Sequence, residues 1–166
     1  MSSAAELFNT SIPFGDIVLR FVLAALAGAA LGLERERRGN AAGLRTHMLV
    51  TLAAAVFTVV TLELAAVSAD FGEEIQADTL RIVEAVTAGV AFLGAGAIIQ
   101  SRARVKGLTT AAGLWLGGAV GVSAGAGLYG IAILATVMGV IIIGLLRVME
   151  RAIFKQPAKS KESVDE

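Results

Sequence analysis

His47–Val67, HMLVTLAAAVFTVVTLELAAV, decides the fold. It holds a single acid, Glu63, and no base after the histidine that opens it. A helix needs about 20 consecutive apolar residues to cross roughly 30 Å of hydrocarbon. The apolar positions here are continuous rather than alternating, and the run far exceeds strand length, so it reads as a spanning helix. Four similar runs flank it: Ile17–Leu33, Ile82–Ile99, Leu108–Ser123 and Leu128–Leu146. The sequence therefore predicts an all-α polytopic membrane protein of about five transmembrane helices, and no strands are expected.

Composition agrees. The chain has 166 residues, 56% of them apolar, with 19 glycines and a mean hydropathy of +0.77. Its 14 basic and 14 acidic residues cancel in sum but are sorted along the sequence. The first, third and last polar stretches hold Arg35, Arg37, Arg38 and Arg45; Arg102, Arg104 and Lys106; and Arg147, Arg151, Lys155, Lys159 and Lys161. The second polar stretch holds Asp70, Glu73, Glu74 and Asp78. With five spans all these bases fall on one side, which the positive-inside rule makes the cytoplasm, leaving the N-terminus outside and the C-terminus inside. Arg20 and Arg81 are the exceptions, each with an acid at helical spacing, Asp16 and Glu84, as expected partners. Met1–Asp16 has no basic n-region, so the first run reads as a retained helix. Residues 1–154 form the expected membrane domain and residues 155–166 a disordered cytoplasmic tail. Cysteine is absent, which excludes disulfides and thiolate chemistry.

In lipid, close helix contact depends on small residues. The first run offers Gly28 and Gly32; the fourth offers Gly113, Gly117, Gly121 and Gly125, with Gly118 beside them; the third aligns Glu84, Ala88, Ala91 and Ala95. These three helices are expected to form the tight centre or a seam between subunits, and a homo-oligomer, a dimer first, is expected. Gly43-Leu44-Arg45-Thr46 and Gly107-Leu108-Thr109-Thr110 echo each other ahead of the second and fourth runs, as a parallel repeat would or as a shared start signal would.

Charges at span ends are the candidates for function. An outer cluster comprises Asp16, Arg20, Glu63, Arg81 and Glu84. Its carboxylates, Glu63 and Glu84 above all, are the metal candidates, for a hydrated Mg²⁺ that takes only one or two protein ligands; Arg–carboxylate ties between helices are the favoured structural reading. The acidic stretch Asp70–Asp78 reads as a solvated connection. An inner cluster comprises Glu34, Glu36, Arg45, Thr46, His47, Arg102, Arg104, Lys106, Thr109 and Thr110. Two helix N-termini there make an anion or nucleotide-phosphate site conceivable, while charge asymmetry and threonine N-caps account for most of the same residues. His47 reads as an interfacial side chain. There is no H-E-x-x-H, G-x-S-x-G or P-loop, so the chain is not expected to be an enzyme and no residue is named catalytic.

These passages resemble the MgtC/SapB family. The likeness is carried by Gly32-Leu33-Glu34-Arg35-Glu36-Arg37-Arg38-Gly39, by Ala42-Gly43-Leu44-Arg45-Thr46-His47-Met48-Leu49-Val50, by Gly89 to Ile99 and by Val105 to Trp115. The resemblance implies a multi-pass protein of the bacterial inner membrane, tied to Mg²⁺ homeostasis and adaptation to low Mg²⁺. Two departures stand out: the cytoplasmic C-terminal domain of many members is not seen in this sequence, and Ala85 stands where many have glutamine. The expected function is a non-enzymatic regulator of other membrane proteins. The alternative is an ion transporter or channel for Mg²⁺ or phosphate. The expected partners are lipid, a second copy and other inner-membrane proteins, with no nucleic acid; Mg²⁺ is the one cofactor weighed.

Overall fold

The structure, a computed structural model, describes residues 10–37, 39–40, 42–70, 79–101 and 104–153. It is built from five helices and one short hairpin: α1 (Phe14–Glu36), α2 (Leu44–Asp70), α3 (Thr79–Ala97), β1 (Ile99–Ser101), β2 (Arg104–Lys106), α4 (Leu108–Gly125) and α5 (Tyr129–Ile153). At about 1.5 Å per residue, even the shortest helix is ~27 Å long. Among the described residues, three helices meet both the length and the apolarity of a membrane crossing: Phe14–Glu36, Leu44–Val67 and Leu108–Gly125; Tyr129–Leu145 is a shorter apolar helix. The protein is an all-α polytopic membrane protein.

The first two helices outrun the apolar stretches that announce them, because a helix satisfies its own peptide groups and has no reason to stop where hydrocarbon ends. Thus α1 begins at Phe14 and ends at Glu36 rather than spanning 17–33, and α2 begins three residues before His47. Two stops are set by glycine. Gly39 (φ +64°) and Gly127 (φ +77°) take the left-handed conformation that closes a Schellman turn. Asn40 N–H donates to Arg35 O and Gly39 N–H to Glu36 O in the first, and Leu128 N–H to Ser123 O and Gly127 N–H to Ala124 O in the second.

Three expectations are corrected here. Strands are present: Ile99 leaves the third helix and pairs with Lys106, Gln100 with Val105 and Ser101 with Arg104, antiparallel. The centre is α1, α2 and α4, not α1, α3 and α4. Half of α4 is buried, against 28% and 33% of the crossing windows of α1 and α2, so α4 is the axis. The third concerns α3, which leans on α4 through Val86, Val90 and Gly94, all buried, while Glu84, Ala88, Ala91 and Ala95 are exposed. Val90 fits there because Gly118 has no side chain: a Cβ on Gly118 would stand 3.0 Å from Val90 Cγ2. The tail expected beyond residue 154 and the acidic stretch 71–78 lie outside the described residues.

Candidate functional site

The three central helices meet around two polar residues of α2. His47 and Thr51 are both fully buried. On one side a Cβ at Gly28 of α1 would meet Thr51 Oγ1 and lie 2.7 Å from His47 O, and a Cβ at Gly32 would lie 2.8 Å from Leu44 Cα and 2.9 Å from His47 Cβ. On the other, a Cβ on Gly113 of α4 would stand 3.2 Å from His47 Nε2, one on Gly117 3.4 Å from Thr51 Cγ2, and one on Gly121 2.7 Å from Ala54 Cβ. The glycine rows of α1 and α4 therefore clasp α2 within one chain. The polar pair is tolerated in this seam because each bonds to its own helix. His47 Nδ1 hydrogen-bonds Gly43 O at 2.9 Å, and Thr51 Oγ1 donates to His47 O at 3.0 Å. His47 Nε2, aimed at α4, has no hydrogen-bond partner among the described residues. The expectation of an interfacial histidine is corrected: the imidazole is a packed part of the core.

The basic ends of these helices form a layer around the histidine. Arg35, only 5% exposed, donates from Nη2 to Thr109 O at 3.3 Å and so ties the end of α1 to the first turn of α4. Glu36 Oε2 accepts from Leu44 N–H at 2.9 Å. The anion position at the start of α2 is thus taken by the chain's own carboxylate, as helix N-termini favour. Gly43 has no side chain because a Cβ there would collide with that carboxylate. Threonine N-caps do not account for Thr109 and Thr110: Gly107 (φ +91°) is the N-cap of α4 and no side chain caps it. Thr110 is buried, Thr46 and Glu34 are half-buried, and Arg45 and Thr109 are exposed. The two echoed tetrapeptides do both start helices, with Gly43 O and Gly107 O each accepting an i+4 bond, from His47 N–H and Ala111 N–H.

At the opposite end, Glu63 holds the chain that leads into α1. Its Oε2 accepts from Ser11 N–H and its Oε1 from Ile12 N–H, both at 2.8 Å. Arg20 turns from its expected partner Asp16 to the end of α4, donating from Nη1 to Gly125 O at 2.7 Å. The helix terminus supplies the partner: carbonyls at the C-terminal end of α4 lack intrahelical donors and favour a cation. Gly127 keeps that approach open, since a Cβ there would lie 3.1 Å from Arg20 Nη2. Arg81 and Glu84 are both exposed on α3, so the inward-facing pair expected from spacing is corrected. Among the described residues, no three His, Asp or Glu side chains converge.

The glycine rows are legible in the sequence, whereas Thr51, Glu36 as a cap and Arg20 as a tie to α4 are not; Arg102 of the expected inner cluster lies outside the described residues. A signal for Thr51 existed in its i+4 spacing from His47, which places both on one face of α2.

Comparison with known proteins places these residues in context. The MgtC family profile matches residues 21–152. The chain is 38% identical over 135 residues to "Putative magnesium transporter YhiD" of Escherichia coli (strain K12), covering 77% of this chain and 59% of that protein. It is 42% identical over 124 residues to "Protein MgtC" of Brucella abortus (strain 2308), covering 75% and 48%. "Protein SrpB" of Synechococcus elongatus is 39% identical over 142 residues, covering 75% and 73%. The chain thus spans about half to three-fifths of the first two relatives. No solved structure matches.

Proposed function

This chain belongs to the MgtC family, and from that premise we propose that it serves Mg²⁺-linked homeostasis as a non-enzymatic regulator of other membrane proteins. The setting is a bacterial inner membrane, with the N-terminus outside and the basic ends of α1, α2 and α4 in the cytoplasm. One observation carries the choice of regulator over transporter: α1, α2 and α4 touch at backbone distance along two glycine rows, and their shared polar residues are spent on packing. A helix core closed this tightly suits a rigid scaffold that presents outer faces to partners. The large apolar exposure of α3, including Phe92 at 80%, supplies such a face for a second copy or for another membrane protein.

The second reading is ion transport, favoured by the printed name of the Escherichia coli relative and by the buried Arg35 and His47 at the basic end. Deletion of the gene and growth in limiting Mg²⁺ tests the shared part of both readings. The deletion strain should grow poorly at low Mg²⁺ only and recover with the intact chain; normal growth of the deletion strain in low Mg²⁺ rejects a Mg²⁺-linked role.

A further inference from the structure

The strongest uncommitted feature is the slot left where α3 leans away from α2 toward α4. Its volume is about 600 Å³, and it runs from Thr46 and Leu49 past Ala53 to Phe57 on α2, with Gly89 and Leu93 on α3. The walls are apolar beyond Thr46, and a Cβ on Gly89 would meet nothing within 4 Å, so the slot is open space beside that helix. From Thr46 to Phe57 is about 16 Å of helix, half of a ~30 Å hydrocarbon core and hence one leaflet deep. A single acyl chain asks for no hydrogen bonds and so suits walls that are apolar beyond Thr46.

The mouth of the slot supplies charge. Arg45 is exposed one turn before Leu49 on α2. Lys106 is exposed in β2 and is followed by Gly107, which sits against the carbonyl of Ala97 at the end of α3. Neither cation lines the slot itself, but Arg45 stands one turn from its Leu49 and Lys106 adjoins the end of α3 one turn beyond its Leu93; basic residues at such helix ends attract anionic headgroups. We propose that this slot binds one anionic phospholipid, with an acyl chain between α2 and α3 and its phosphate at Arg45 and Lys106. The inference is independent of the regulatory reading above.

Native mass spectrometry of the purified full chain tests it, with phosphatidylglycerol and phosphatidylcholine of matched chains as probes. Phosphatidylglycerol should be retained about 10-fold more strongly, and Arg45→Gln with Lys106→Gln should remove that preference. Ala53→Trp fills the slot from α2 and should lower retention of both lipids by about 10-fold. Ala85→Trp does so from α3 and answers the question if the first variant misfolds; circular dichroism and monodispersity certify folding. Equal retention of the two lipids by the wild type overturns the headgroup site. Unchanged retention in a folded wall variant overturns the slot and leaves only annular lipid.

Discussion

Gly121→Ala adds one methyl group to the tightest seam of the bundle. The new Cβ would fall 2.7 Å from Ala54 Cβ and onto the carbonyl of Thr51. Carbon atoms prefer about 3.5–4.0 Å, so α4 and α2 must part by roughly 1 Å. A backbone carbonyl cannot rotate away as a side chain can, and the displacement is shared by Gly117 and Gly125 on the same row. Overpacking of this kind costs about 1–3 kcal/mol, and the gain in helix propensity from glycine to alanine returns up to about 1 kcal/mol. With the full return, the net expectation is a loss of up to about 2 kcal/mol. Gly89→Ala is the matched control: a Cβ there meets nothing within 4 Å, so only the propensity acts and stability should rise by about 0.5–1 kcal/mol. Thermal unfolding of both variants in one detergent gives the comparison. A Gly121→Ala protein at least as stable as Gly89→Ala would falsify the clasp of α2 between two glycine rows.

Three further outcomes follow from the same geometry. Arg20→Leu removes a charged hydrogen bond to Gly125 O and should cost about 1.5–3 kcal/mol in thermal unfolding, with Arg20→Lys losing less; an unchanged melting point means the tie to α4 contributes nothing. Glu63→Gln leaves one carbonyl oxygen for two donors, so amide exchange at Ser11 and Ile12 should quicken by about 10-fold or more, since loss of a charge-assisted bond is worth more than one decade; unaltered exchange refutes the clamp. Glu84→Gln should shift stability by no more than about 0.5 kcal/mol because Glu84 is exposed, whereas a loss near 3–5 kcal/mol would reinstate the buried pair that spacing suggests.

Much of the bundle is legible in the sequence for a simple reason. Lipid demands long apolar helices, and His47–Val67 or Leu108–Ser123 announce themselves by length alone. The hairpin is not legible: Ile99 extends the apolar run before it, and the turn into α4 depends on Gly107 at φ +91°. Glycine rows report that something approaches closely without saying what. α2 reads as uniformly apolar, and its packing face is hidden because Thr51 and Thr58 spend their hydroxyls on carbonyls of their own helix, His47 O and Ala54 O. Each then packs like a small aliphatic residue. Arg20 fails for the opposite reason. Its neighbour in sequence is Asp16, yet the end of α4, far away in the chain, supplies a carbonyl at 2.7 Å that no single-helix argument contains.

On the proposed regulatory reading, a core closed by glycine packing leaves no conduit for Mg²⁺. Mg²⁺ flux into liposomes reconstituted with the purified chain, its melting point in the vesicles matching that in detergent, tests it most directly. The account predicts uptake no faster than in protein-free vesicles, while the same chain restores growth of the deletion strain at low Mg²⁺. Saturable Mg²⁺ uptake that Gly121→Leu or Arg35→Gln abolishes would contradict it and make the protein a transporter.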